Sequence, residues 1–538
     1  MNWLDILIII LYSGGLLSLG FIFRKQTSTE DYFLGGKSFS WFELGLSTMA
    51  TQLSAISFIS AAAFVGLKLN GGMQWLSFEF AVPLAMVFLM LVLVPPLYKA
   101  GVFSIYEFLE RRFNRTTRVL ISVVFQVSRA FATGMMINAV ALVLSAVLNI
   151  PVWQTVLLAG IVTIMYAYQG GMKAVVWGDA IQMIILVIGI IVCTVYGLAE
   201  LGGWDVLIEK VDQNRLDVVD FSNWGIGEGQ EFGFWPMVLG GFFLYISYYG
   251  TDQSQAQRSL SGKSLKQVQG ALMLNGLVRF PVVLCYCMMG LIVGTYALNN
   301  AEFMGVIEQL SIQTIGAEEV AKGKIDYDLL MPAFISNRLP HGILGLLIIA
   351  ILSAAMSSLS SAVNSLSAAS VEDLIAGGRK EPLPADTHLQ YSRWMTVVWG
   401  IICLVLAFIG DQIADTIIEA INKIGSVFYG PIVATFLLAI LSKRTHHLAA
   451  NAGLIAGVLL NLYLWLGIGN GLFWIWWNLT GAGMTLAVGL AGTYLIKAKA
   501  KPTPERERVQ WITPQTILLI GFFLAMVVFC LQLPGWLS

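Results

Sequence analysis

The chain has 538 residues, of which 57% are hydrophobic and 12% are charged, and its formal net charge at pH 7 is −1. Soluble proteins carry about 25% charged residues, so this composition indicates a protein whose main solvent is lipid. The near-zero net charge gives no support to nucleic-acid binding, and no nucleic-acid partner is expected. The five cysteines lie in apolar segments without metal-ligand or redox spacing, which is typical of buried thiols.

Apolar windows long enough to cross a bilayer recur along the whole chain, since a spanning helix needs roughly 20 apolar residues. They predict fourteen spans: 4–23, 41–67, 74–98, 117–148, 152–169, 175–200, 234–257, 270–298, 341–372, 391–411, 416–442, 449–468, 473–496 and 514–533. The first window lacks a basic leader and a small-residue cleavage site, so it is predicted to be a span and not a signal peptide. With its short tails, the chain is expected to be an all-α, multi-pass protein of the cell (inner) membrane.

Lysine and arginine residues are concentrated in alternate loops between the predicted spans. One set of loops contains the basic cluster at 111–118 and the segment 258–266, which begins with Arg258, whereas the other set contains few basic residues. Because basic residues favour the cytoplasmic side of a membrane, the first set is predicted to be cytoplasmic. The N-terminus is then outside, and after an even number of spans the C-terminus is outside as well.

Three basic side chains remain inside predicted spans, namely Arg129, Arg279 and Lys423. A basic residue at the centre of a spanning helix costs about 3 kcal/mol or more, so each of the three is a candidate functional residue. For Lys423, which lies near the start of its span, the alternative is that the side chain reaches the membrane interface.

Two predicted spans contain runs of residues that are too polar to face lipid. The run at 47–57 is rich in hydroxyl groups, and the run at 245–253 contains tyrosines, Asp252 and Gln253. Irregular backbone at membrane depth is tolerated only where it lines a cavity, so both spans are predicted to be broken helices. The alternative is that these small polar residues tighten helix packing.

The two broken spans each open a group of five spans, 41–200 and 234–442. Two groups with an odd number of helices have opposite orientations, which is the pattern of an inverted repeat with discontinuous helices at its centre. Residues 1–24 then form an extra N-terminal span, and residues 449–538 form three additional C-terminal spans.

A serine-rich segment at 353–364 places Ala354, Ser357, Ser358 and Ser361 on one face of a helix by their spacing. Sodium is a hard cation that requires several oxygen ligands. A helix that offers hydroxyls, opposite a broken helix that offers free carbonyls, supplies such ligands. A serine face also suits close helix packing, which is the alternative.

Four segments, taken in chain order, resemble the sodium/solute symporter family. They are DYFLGG at 31–36, YEFLERRF at 106–113, GGMKAVVWGDAIQ at 170–182 and the serine-rich helix. That family includes the sodium/glucose, sodium/galactose, sialic acid and proline carriers, and the resemblance extends over nearly the whole chain. It implies a fold similar to that of the leucine transporter, with two inverted five-helix repeats and flanking helices.

The resemblance also implies one or two sodium sites. The first would be formed by three carbonyls and two hydroxyls, from Ala50, Leu53, Ala354, Ser357 and Ser358. The second, which only some members have, would be formed by Asp179, Ser357, Ser360 and Ser361. The alternative for Asp179 is that it caps a helix beginning near residue 180.

For the solute, the resemblance to sugar and sialate carriers implies a pocket lined by residues of both repeats: Gln52, Ser54, Ser57, Glu79, Arg129, Tyr245, Tyr248 and Arg279. Glu79 resembles the acid that sugar carriers use against hydroxyls, and Arg129 resembles the arginine that holds a carboxylate in sialate carriers. Tyr245 stands where a galactose carrier has asparagine, which departs from the hexose pattern. An arginine fork for an acidic sugar, and an internal pair of Glu79 with Arg129 or Arg279 for a neutral one, both stay open.

These features predict a sodium-coupled symporter, and not an enzyme, that imports a sugar or an acidic sugar such as sialic acid by alternating access. No nucleophile–base constellation, metal-ligand spacing or nucleotide loop indicates catalysis. The protein is expected to work as a monomer in the bilayer, with sodium and the solute as its ligands. The alternatives are a sodium symporter for an amino acid or monocarboxylate, and a proton-coupled carrier of the same fold in which Asp179 is the candidate acid.

Overall fold

The computed structural model describes residues 2–53, 57–379, 381–408, 417–496, 501 and 509–537. These residues form α-helices joined by short π and 3₁₀ turns, and they contain isolated bridges but no strand. The α-helices are α1 (Trp3–Ile22), α2 (Thr29–Leu34), α3 (Trp41–Gln52), α4 (Ala62–Gly66), α5 (Ala81–Phe88), α6 (Val94–Ala100), α7 (Ile105–Arg112), α8 (Arg115–Leu148), α9 (Val152–Leu201), α10 (Trp204–Lys210), α11 (Gly241–Thr251), α12 (Gln253–Leu260), α13 (Leu265–Leu298), α14 (Ala301–Ile315), α15 (Ala317–Ala321), α16 (Leu330–Arg338), α17 (Ile343–Ala369), α18 (Ala385–Leu406), α19 (Ile417–Leu441), α20 (His447–Tyr463), α21 (Trp476–Leu495) and α22 (Pro514–Trp536).

Ten helical segments among the described residues are long and apolar enough to cross a membrane, and the bent pair Trp41–Gln52 and Ser57–Gly66 adds an eleventh. The all-helical, membrane-spanning class is therefore confirmed. Three predicted spans are not counted separately: 175–200 continues α9, 234–257 is divided between α11 and α12, and 473–496 corresponds to α21. The total of fourteen spans and the outside position of the N-terminus stay predictions, as does the division into two inverted repeats.

Both predicted helix breaks are present. Helix α3 ends at Gln52, Leu53 is non-helical (ψ 78°), and helical structure resumes at Ser57 after a bend of 64°. Helix α11 ends before Asp252, whose backbone is extended (φ −84°, ψ 121°), and α12 begins directly after it. Asp252 accepts hydrogen bonds from the backbone N–H and the hydroxyl of Ser254, so its carboxylate caps α12.

The segment around residue 171, expected to be a loop between two spans, is helical on both sides. Helix α9 runs from Val152 to Leu201, and its one non-helical residue is Gly171 (φ 53°, ψ −148°). A Cβ atom at this position would lie 2.6 Å from the carbonyl oxygen of Tyr32. Glycine is therefore required both by the backbone conformation and by the close approach of α2.

Helix α17 is the centre of the bundle. Within the span Ile343–Ala376, 89% of the most apolar window is buried, whereas the corresponding share in α1 is 17% and in α22 28%. Helices α3, α9, α12 and α17 pack against one another, so both broken helices meet the serine-rich helix. The outermost helices expose apolar side chains, as expected of surfaces that face lipid.

The long connections at 201–233 and 299–340 are structured and contain the short helices α10 and α14 to α16. Arg215, in the first of them, is buried and donates hydrogen bonds to the carbonyls of Val65 and Lys68 at the end of α4. Phe232 packs against Phe78 with ring centroids 5.7 Å apart. The first connection therefore packs against the helical bundle.

Candidate functional site

A cavity of about 130 Å³ lies between the two broken helices and helices α8, α13 and α19. Every predicted solute-pocket residue that the structure describes lines it: Gln52, Ser57, Glu79, Arg129, Tyr245, Tyr248 and Arg279. Ser54 lies outside the described residues. The structure thus gathers residues from distant parts of the chain around one cavity, whose lining also includes residues that the sequence did not single out, such as Trp75, Phe78, Tyr106 and Tyr429.

One end of the cavity carries a buried ion pair between Glu79 and Arg279. The Nε atom of Arg279 lies 2.6 Å from Glu79 Oε2, and its Nη2 atom donates to Glu79 Oε1 at 2.9 Å. The same guanidinium donates to the phenol oxygens of Tyr249 at 2.7 Å and Tyr245 at 3.0 Å. These tyrosines share a face of α11 because they are four residues apart. Arg279 is therefore held by protein partners. Glu79 forms its internal ion pair with Arg279 and not with Arg129.

The second cavity arginine is held less closely. Arg129 Nη1 lies 3.7 Å from Asp252 Oδ2, which is beyond hydrogen-bonding distance, and the buried Nε of Arg129 has no hydrogen bond to any described residue. Asp252 uses its other oxygen to cap α12. The sequence missed this aspartate as a site residue although it stands in the polar run at 245–253. The feature of the sequence that could have identified Asp252 is a carboxylate inside a predicted span, because such a group needs a cation nearby.

The residues expected to form the first sodium site lie on two helices that touch. Ala50 is in the last turn of α3, Leu53 follows its end, and Ala354, Ser357 and Ser358 are on α17. The hydroxyls of Thr51 and Ser361 are 3.2 Å apart, so the serine face of α17 is directed at the end of α3. The buried hydroxyl of Ser358 has no hydrogen-bond partner among the described residues.

The residues expected to form the second sodium site surround the buried carboxylate of Asp179. Ser357 donates to its Oδ1 at 2.6 Å, and the hydroxyl of Ser361 lies 3.5 Å from its Oδ2. Ser360 instead donates to the carbonyl of Ser357 at 3.0 Å. The alternative role for Asp179, as the cap of a helix, does not hold, because the residue lies inside α9, well after the break at Gly171.

A residue that the sequence placed in a cytoplasmic loop completes this cluster. Arg258 lies on α12 and is 2% exposed, so its assignment to a solvated loop is wrong. Its Nη2 donates to Asp179 Oδ2 at 2.7 Å and to Ser361 Oγ at 2.5 Å, and its Nε donates to Ser47 Oγ at 2.7 Å. The break at Asp252 redirects α12 into the bundle, which hydropathy alone does not reveal. The one sequence signal was the scarcity of apolar residues in 253–260, a segment that starts within a predicted span.

A helical membrane carrier, with two interrupted helices beside a charged central cavity, is the class of protein that this fold and site define. Residues 32–457 match the profile of the sodium:solute symporter family, and the chain belongs to that family. It is accordingly a transporter that uses sodium, and not an enzyme.

Three proteins are similar to this chain in sequence or in fold. The chain is 30% identical to human sodium-coupled monocarboxylate transporter 1 over 82% of its own length and 69% of that protein. It is 29% identical to the human sodium/iodide cotransporter over 86% of its length and 69% of the relative. The structure of a Na⁺-coupled sialic acid symporter in a substrate-bound outward-open state superposes with a TM-score of 0.81 at 22% identity, over 93% of this chain and 99% of the other, which shows a shared fold.

Proposed function

We propose that this protein imports a small organic solute bearing a carboxylate, such as an acidic sugar or a monocarboxylate, together with sodium. The observation that carries the ion coupling is the buried Ser358 hydroxyl, which has no hydrogen bond to a described residue and lies on α17, the helix that packs against the broken α3. A buried hydroxyl without a partner costs about 1–3 kcal/mol, so its persistence in a packed helix favours a ligand that is bound there during the cycle.

Sodium would lie between the carbonyls of Ala50, Leu53 and Ala354 and the hydroxyls of Ser357 and Ser358. The Ser357 hydroxyl donates a hydrogen bond to Asp179, so the lone pairs of its oxygen remain available to a cation. All five ligands are neutral oxygens, which a hard cation prefers to nitrogen or sulfur. Because α3 and α17 are separate elements, a cation bound between them holds them together, and its release lets them part.

The solute carboxylate would bind Arg129 and not Arg279. Arg279 already has a carboxylate and two phenols as acceptors, whereas the carboxylate of Asp252 lies 3.7 Å from Arg129, beyond hydrogen-bonding distance. Gln52 lines the same cavity, and its buried Oε1 likewise has no partner, so it would accept from a solute hydroxyl or amide. A monocarboxylate, an iodide and a sialic acid carrier stand among the similar proteins, and each of those solutes carries an anionic charge.

Alternating access then couples the two ligands. A tenfold sodium gradient supplies about 1.4 kcal/mol per ion, and 100 mV adds about 2.3 kcal/mol per net charge moved. One sodium with a monovalent anion moves no net charge, which limits accumulation to roughly tenfold. Two sodium ions would supply roughly 5 kcal/mol, or several thousandfold, so the ion number decides the transport capacity.

A proton-coupled carrier of the same fold is disfavoured by one observation. Among the described residues, Asp179 is the buried acid at the ion cluster, and Arg258 lies 2.7 Å from it. Because both oxygens of Asp179 already accept hydrogen bonds, from Ser357, Ser47 and Arg258, a proton that binds there must compete with these donors.

Thermal unfolding of the purified protein with paired ligands tests this function. Carboxylates and their amides, drawn from acidic sugars and monocarboxylates, are compared in sodium or potassium chloride at fixed pH. We expect stabilisation by a carboxylate but not by its amide, and only with sodium, because coupled sites stabilise jointly. Ser358→Ala should lose the sodium effect, whereas Ser365→Ala, which removes a buried hydroxyl bonded only to its own helix, should keep it. Equal stabilisation in sodium and potassium would refute the proposal.

A further inference from the structure

The cluster around Asp179 already contains a cation. Its two carboxylate oxygens accept hydrogen bonds from Ser357, Ser47 and the guanidinium of Arg258. Three of the four residues expected to bind a second sodium are thus engaged with Asp179 or with Arg258. The guanidinium is nearly inaccessible to solvent, at 2% exposure, and is held by partners from several helices.

A sodium ion and this guanidinium compete for the same oxygens. Arg258 Nη2 donates to both Asp179 Oδ2 and Ser361 Oγ, which are two of the oxygens that the ion would need. A sodium ion placed among them would also lie beside a fixed positive charge, at a depth where screening by water is weak. One carboxylate compensates one positive charge and not two.

Arg258 is also firmly positioned. It extends from α12 and reaches Ser47 on α3, Asp179 on α9 and Ser361 on α17, and it donates a further hydrogen bond to the Ser254 carbonyl of its own helix. A side chain with four directed hydrogen bonds and almost no solvent exposure is the resident occupant of its site.

We propose that Arg258 is a tethered cation that fills the second ion site, so that this transporter binds one sodium ion and not two. The inference rests on the proposed function, since it takes for granted a first sodium site at Ser357 and Ser358. By joining α12 to α3 and α17, the guanidinium does permanently what a second sodium ion would do only while bound.

Equilibrium binding of ²²Na⁺ to the purified full-length protein tests this assignment. The wild-type protein should bind one ion at saturation, and Ser358→Ala should bind none. Arg258→Gln leaves Asp179 without its cation, so a second ion should bind. Arg258→Lys, which keeps the charge, and Arg258→Gln/Asp179→Asn, which removes both charges, should each bind one.

Each result decides a different point. Two ions on the wild-type protein, or one ion on a folded Arg258→Gln variant, would overturn the role of Arg258 while leaving sodium coupling intact. No sodium binding by the wild-type protein would instead refute the proposed function. Should Arg258→Gln not fold, Arg258→Met, which also removes the charge but keeps a long side chain, decides: the count should rise to two, and a count of one would overturn the role of Arg258.

Discussion

At the scale of single residues, each of the three buried arginines around the cavity and the ion cluster faces a carboxylate. Arg279 pairs with Glu79 and Arg258 with Asp179, and Arg129 lies near Asp252. An isolated charge in this environment would be far more costly than a hydrogen-bonded pair. The ion pairs therefore lower the free-energy cost of placing charged side chains inside the membrane.

Removing one partner of the Glu79–Arg279 pair should destabilise the protein. Glu79→Gln leaves a buried guanidinium without its counter-charge, and we expect a loss of about 3–5 kcal/mol in the free energy of unfolding. The melting temperature of the detergent-purified protein measures the effect. The double variant Glu79→Gln/Arg279→Gln removes both charges and should recover part of the loss. A double variant less stable than the single one would contradict this account.

At the scale of elements, interruptions of helices decide where polar groups can be placed. The break after Gln52 exposes the end of α3 to α17, and the break at Asp252 turns α12 so that Arg258 enters the bundle. The kink at Gly171 lets α9 continue past α2 at close range and brings Asp179 to the serine face. None of these three interruptions requires a long loop.

The kink in α9 predicts a sharp sensitivity to a single methyl group. Gly171→Ala must adopt a positive φ and must displace the Tyr32 carbonyl, so we expect a loss of about 1–3 kcal/mol in the free energy of unfolding. Gly14→Ala is the matched control, since a Cβ there meets nothing within 4 Å and the residue lies within α1. Thermal unfolding of both variants checks the difference, and equal melting temperatures would contradict it.

At the scale of the whole molecule, burial divides the helices into a core and a lipid-facing shell. The core is α17 with the broken helices and α9, and the shell includes α1 and α22, whose apolar side chains are exposed. This arrangement keeps the polar side chains of the cavity and of the ion cluster away from lipid. The direction of transport depends on how the molecule is oriented.

The predicted orientation can be measured by cysteine labelling in a background without the five native cysteines. Lys324→Cys should react with a membrane-impermeant maleimide in intact cells, because the connection 299–340 is predicted to be outside. Lys263→Cys should react only after permeabilisation. Both positions are exposed, so accessibility within the protein does not limit the reaction. The reverse labelling pattern would invert the topology.

The amino-acid sequence by itself determined that the protein is helical and membrane-embedded, and where two of its helices break. These properties follow from composition and local periodicity, because each depends on neighbours within a few turns. Family resemblance supplied the residues of the solute pocket, the ion-site residues and the function class.

Only the tertiary structure decided which charges meet. Glu79 is paired with Arg279, 200 positions away, and Asp179 with Arg258, 79 positions away. Such pairs depend on the direction in which a helix continues after a break, which one-dimensional hydropathy does not contain. For the same reason Arg258, which the sequence places in a cytoplasmic loop, is found buried beside Asp179.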